Sequence, residues 1–104
     1  MEWVSGNVFI REMHFERQGQ EVRGHAHNFD HTTYVTRGGL RFETGGQVIE
    51  KYARDGANFV LIRAGVEHRI TALEDDSMGH CIYAHRDPQG EIVQVYDGWT
   101  PAYV

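Results

Sequence analysis

Cysteine is nearly absent. Cys81 is the only one in 104 residues, which rules out an intrachain disulfide framework. Lysine is as scarce, with Lys51 alone, and ten basic residues face fifteen acidic ones for a formal charge of -5. No basic cluster is present to track phosphates, so a nucleic-acid-binding surface is excluded. No apolar run approaches the roughly 20 residues that cross a bilayer. Residues 1–5 also lack the basic-then-apolar layout of a secretory leader. The expectation is a cytoplasmic protein with no nucleic-acid partner and no membrane. A chain of this length builds one core, so residues 1–104 read as a single domain.

Proline is rare (two residues) while glycine is common (twelve), and no stretch carries a helical period. Short runs rich in Val, Ile, Tyr, Phe and Thr alternate with turn signals, the pattern of an all-β sandwich or barrel. Strands are expected at Val8–Ile10, Met13–Phe15, Glu21–His27, Tyr34–Arg37, Leu40–Glu43 and Val48–Ala53. Further ones are expected at Asn58–Ile62, buried on both faces, at Gly79–His85 and at Glu91–Tyr96. Thr44-Gly45-Gly46-Gln47 predicts a tight hairpin, because glycine tolerates the positive φ angles such turns need. Asp87-Pro88-Gln89-Gly90 predicts a type I turn. The tail from Asp97 reads as irregular.

Seven histidines are many for so short a chain. Residues two apart on a strand share a face, so His25 and His27 project together, about 7 Å apart along the backbone. That spacing lets two imidazoles reach one ion with bonds of about 2.1 Å. The segment Asn28-Phe29-Asp30 bends the chain back to His31, and His68 arrives from a separate strand behind an Ala-Gly-Val turn. The set predicts one mononuclear site fed by His25, His27, His31 and His68. His14 stands apart from it as an ordinary strand residue.

Gly19, five residues, His25-Ala26-His27, three residues, His31, six residues, Gly38 resembles the first motif of the cupin family. Gly56, six residues, Arg63-Ala64-Gly65, two residues, His68 resembles the second. The resemblance, to small RmlC-like single-domain cupins, implies a double-stranded β-helix, that is, a jelly-roll barrel. It implies one divalent transition metal ion in it, Fe, Mn, Ni, Cu or Zn. His31 stands where the family usually has Glu, as in the minority of cupins with four-histidine sites. The bound ion then keeps its charge of about +2, and imidazole suits Zn, Cu, Fe and Ni while Mn prefers carboxylate. Arg63 and Ala72 depart from the family's Pro and Asn without touching the ligand set.

The strand Gly79–His85 lines the interior in cupins, and one parity carries His80, Ile82 and Ala84 while the other carries Cys81, Tyr83 and His85. His80, Tyr83 and His85 are the candidate catalytic groups, and which parity faces inward stays open. Arg41 and Arg63 are candidates to hold a substrate carboxylate. Phe29, Tyr34, Phe42, Phe59 and Trp99 read as core or rim packing, and Cys81 as a buried inert thiol. Two adjacent open metal positions suit a dioxygenase-type oxygenase acting on a small organic substrate. The alternatives are a non-catalytic module that binds or senses a ligand or the metal, and a metal-dependent isomerase or lyase. The strands before Gly19 and the tail with Trp99, Pro101 and Tyr103 predict a homodimer formed through edge strands.

Overall fold

The computed structural model describes residues 1–27, 30–56, 58–91 and 95–96; for residues 23–27 and 95–96 the description is of the backbone. Ten strands follow in order: β1 (Glu2–Ser5), β2 (Val8–Phe15), β3 (Glu21–His27), β4 (His31–Arg37), β5 (Gly39–Thr44), β6 (Gln47–Tyr52), β7 (Phe59–Ile62), β8 (His68–Ala72), β9 (Ser77–Ala84) and β10 (Val95–Tyr96). One 3-10 turn, Ala53–Asp55, is the sole helical element among the described residues. The strands form two five-stranded antiparallel sheets, β1-β2-β9-β4-β7 and β10-β3-β8-β5-β6.

From β3 onward the chain passes between the sheets at nearly every connection, which is the winding of a double-stranded β-helix, and the expected all-β jelly roll is the fold observed. Among the described residues the two sheets are not hydrogen-bonded into one closed barrel. Each keeps its own edges, as two-sheet jelly rolls do.

Between the sheets lie Phe15, Val35, Leu40, Phe42, Val60, Ile62, Ile70 and Ala72, all buried. Each fully buried side chain of this size contributes about 1.5–3 kcal/mol. Gly45 and Gly46 both take positive φ, 57° and 78°, and close the two-residue hairpin that pairs Thr44 with Gln47. Gly38 (φ 66°) turns β4 into β5, where a Cβ would collide with the Ser77 side chain. Ser77 is itself committed there, accepting from the Gly39 amide at 3.1 Å and donating to the Glu74 carbonyl at 2.9 Å.

Several sequence expectations change. The two short N-terminal strands are one, Val8–Phe15, and β1, unforeseen, pairs along it. β7 is not buried on both faces: Val60 and Ile62 are buried while Phe59 and Leu61 are exposed. The reason is the architecture: each sheet packs one face on the core and leaves the other uncovered, so the strand alternates as β4 and β9 do. Glu91 lies outside any strand, and of the expected last strand Val95–Tyr96 pairs, with β3. Phe29 and the tail from Asp97, Trp99 included, fall outside the described residues.

Candidate metal centre

His31 opens β4 and His68 opens β8, so the two imidazoles approach from opposite sheets. They are 3% and 1% exposed, and their ring centroids stand 5.5 Å apart at an interplanar angle of 55°. With metal–nitrogen bonds of about 2.1 Å, two imidazoles on a common ion hold their centroids at a separation of about 5 Å. The observed pair fits that requirement. The Nδ1 of His68 lies 3.3 Å from the Val66 carbonyl. A carbonyl can only accept, so Nδ1 is the donor of this contact, and in the neutral ring the lone pair a metal needs is then on Nε2.

The other two predicted ligands sit on β3, whose ladder with β8 contains an irregularity. Val22 pairs with Ile70 and His25 with His68, three residues of β3 against two of β8. This one extra residue is a β-bulge, and it sets the Cα of His25, rather than that of Gly24, opposite His68. His27 pairs with Val95. The imidazoles of His25 and His27 lie outside the described residues. Among the described residues no three His, Cys, Asp or Glu side chains gather around one point.

A contact absent from the sequence reading ties the two halves together. The Asp30 carboxylate accepts from the Ala64 amide at 2.7 Å, fastening the residue before His31 to the connector before His68. An exposed Asp beside a histidine gave no signal of this, since its partner is 34 residues away.

The parity of β9 is settled by burial. Cys81 and Tyr83 are buried between the sheets, and His80, Ile82 and Ala84 are on the outer face. Tyr83 meets the edge of His31 at 6.0 Å and stacks on Phe9 at 4.9 Å, and His85 stacks on the same Phe9 at 5.6 Å. His80 points away from His31, with Nδ1 3.0 Å from the Thr36 hydroxyl, Nε2 3.2 Å from Glu12 and Trp3 over it at 6.2 Å. Of the three candidate catalytic groups, Tyr83 therefore lies against His31, His85 stacks on Phe9 instead, and His80 is on the other side of the sheet. Cys81 lies 3.4 Å from the Thr33 hydroxyl, and burial pushes its thiol pKa up, so it stays protonated and unreactive.

Neither predicted carboxylate-binding arginine enters the interior. Arg41 lies on the outer face of β5, 3.7 Å from Glu43, because Leu40 and Phe42 hold the inward parity. Arg63 is exposed and lines a surface recess of about 220 Å³ with Thr44, Gln47, Ile49, Leu61 and Val66. Tyr34 and Phe59 stack on each other at 4.5 Å on the outer face, whereas Phe42 is core.

Comparison with solved structures places this architecture. The chain is similar to KdgF from Halomonas sp. at 21% identity and a TM-score of 0.68, over 82% of this chain and 74% of that one. It is similar to a cupin-2 domain protein from Shewanella frigidimarina at 23% identity and 0.63, over 79% and 74%. A cupin 2 domain-containing protein from Halorhodospira halophila gives 16% and 0.68, over 86% and 70%. No family model and no curated protein matches the chain. The fold is the cupin double-stranded β-helix.

Proposed function

We propose that His25, His27, His31 and His68 bind one divalent transition metal, and that the chain is a metal-dependent oxygenase acting on a small organic molecule between the sheets. The observation that carries this reading is the His31–His68 pair: two buried imidazoles from opposite sheets, one with its tautomer set by Val66. The register of His25 against His68 and of β3 beside β8 supports the remaining ligands. Such an ion supplies Lewis acidity and, when redox-active, a place for dioxygen. The chain's own contribution is a dry wall of Phe9, Tyr83 and Ile62, with the Tyr83 ring against His31 and Ile62 opposite that histidine in the ladder. The test uses Fe(II)-loaded full-length protein exposed to nitric oxide without oxygen. A new paramagnetic resonance of iron–nitrosyl type supports an open, gas-accessible position, and a protein that takes up no iron or shows no such signal overturns the reading.

The partner we propose is a second copy of the chain. On the outer face of the first sheet Trp3, Ile10, Ile82, Thr32 and Leu61 form one row across all five strands, with Phe59 and Val8 beside it. Trp3, Val8, Phe59 and Leu61 are 44–55% exposed. Strand spacing of about 4.8 Å and rise of about 3.4 Å per residue give this face a flat footprint of about 600 Å². That is close to the roughly 800 Å² of accessible surface each partner buries in a stable interface.

A further inference from the structure

We propose that Arg11 is the anion-recognising residue of this site, so that the small molecule taken between the sheets carries a carboxylate. The inference rests on the reading of the sheet interior as a ligand site and names the chemistry of the ligand.

Its basis is the parity of β2. Phe9 and Phe15 are buried and Met13 packs on the core, so odd positions of this strand face inward. Arg11 is the charged member of that inward set, and the acidic Glu12 is on the opposite face with His80. The ladder sets Arg11 opposite Cys81, and Cys81 opposite Thr33. This polar row runs beside the row of Phe9, Tyr83 and His31. Two residues along a strand and two strands across correspond to a Cα separation of about 12 Å from His31. An arginine side chain together with a small acid spans that gap. The Arg11 charge is also felt at the Cys81 thiol, where it opposes the upward push of burial.

The Arg11 side chain is 32% exposed, so its charge lies within reach of an anion that enters from solvent. One anion that Arg11 meets in this structure is Glu2, which is half exposed on the edge strand β1. Arg11 Nε and Nη2 each lie 3.0 Å from the same Glu2 oxygen. The Glu2 contact shows that this guanidinium takes a carboxylate, and the same recognition extends to the carboxylate of a small acid. In a chain of net charge -5, selective uptake of an anion needs such a local cation.

The test is calorimetry on full-length Ni(II)-loaded protein with glutarate and its neutral diamide, glutaramide. Glutarate is expected to bind at least about tenfold tighter than glutaramide, the range a charge-assisted hydrogen bond gives. Arg11→Gln should erase that preference while leaving Ni(II) affinity unchanged, Arg11→Lys should keep part of it, and Glu2→Gln should strengthen glutarate binding by removing the competing carboxylate. Equal affinity for the two probes, no binding of either, or an Arg11→Gln protein that still prefers glutarate would overturn the proposal. If Arg11→Gln fails to fold, the opposite signs expected for Glu2→Gln and Arg11→Lys still decide. If Ni(II) does not bind but metal-free protein takes glutarate in an Arg11-dependent way, the metal reading fails and this one stands.

Discussion

Asp30 and Ala64 are 34 residues apart in sequence, yet the carboxylate of one holds the amide of the other at 2.7 Å. The bond fixes the start of β4 against the approach to β8, the two points from which His31 and His68 project.

Replacing Asp30 by Ala removes no candidate ligand but loosens the first residues of both strands. Metal affinity should fall by about tenfold, the lower end of what outer-shell contacts contribute. Competition titration against a chromophoric chelator measures it. An unchanged affinity would show that the strap has no part in aligning the pair.

Metal loading itself should depend on each of four histidines. His25→Ala, His27→Ala, His31→Ala and His68→Ala should each lower the metal content found by elemental analysis. His14→Ala should not, because His14 is on the surface, bonded to Asp76 at 2.6 Å. Loading should weaken below about pH 6, since an imidazole must be neutral to donate its lone pair. Full loading of His31→Ala would reduce the site to three histidines.

Gly38 combines a positive φ with a Cβ position already filled by Ser77. Gly38→Ala should therefore cost roughly 2–3 kcal/mol of stability, strain and overpacking together. Urea denaturation reads this as a lowered midpoint at constant slope.

Burial holds the Cys81 pKa high, so alkylation by iodoacetamide at pH 8.5 should be slow in the folded protein and fast in denaturant. The sign for stability follows. An unfolded thiol ionises near pH 8.5 while the folded one stays protonated, so stability declines as pH rises through that range. Replacing Cys81 by Ala should flatten the decline, as thermal melts at pH 7 and 10 would register.

The dimer proposed for the outer face should be sensitive to charge placed there. Phe59→Lys with Leu61→Lys should yield a monomer in analytical ultracentrifugation and leave the melting temperature within a few degrees, because both side chains are exposed. A dimer that survives the change would direct attention back to the edge strands.

Much of the fold was legible because strand and turn signals are local. The Gly45-Gly46 hairpin and the Asp87–Gly90 turn, with its Gly90 amide bonded to the Asp87 carbonyl at 2.9 Å, formed where their residues required. The histidine pairing of β4 and β8 was legible as a spacing pattern. What escaped depends on which element lies beside which. The short apolar run of β7 reads the same whether its sheet is covered on one face or on both, and it is the uncovered outer face of the sheet that exposes Phe59 and Leu61. The same limit hid Arg11: an arginine among hydrophobic residues on β2 looks like any solvated charge until Phe9 and Phe15 fix the parity around it.

The extra residue of β3 has a further consequence. Val22 and His25 differ by three in sequence, yet their partners Ile70 and His68 differ by two. A single strand therefore carries two alternating patterns one step out of phase: the core pattern up to Val22, and the histidine pattern after it. Each can vary without dragging the other to the wrong side. Anyone transplanting the His25-Ala26-His27 triplet onto an unbulged strand would have to move it by one position, or its phase relative to the core would invert.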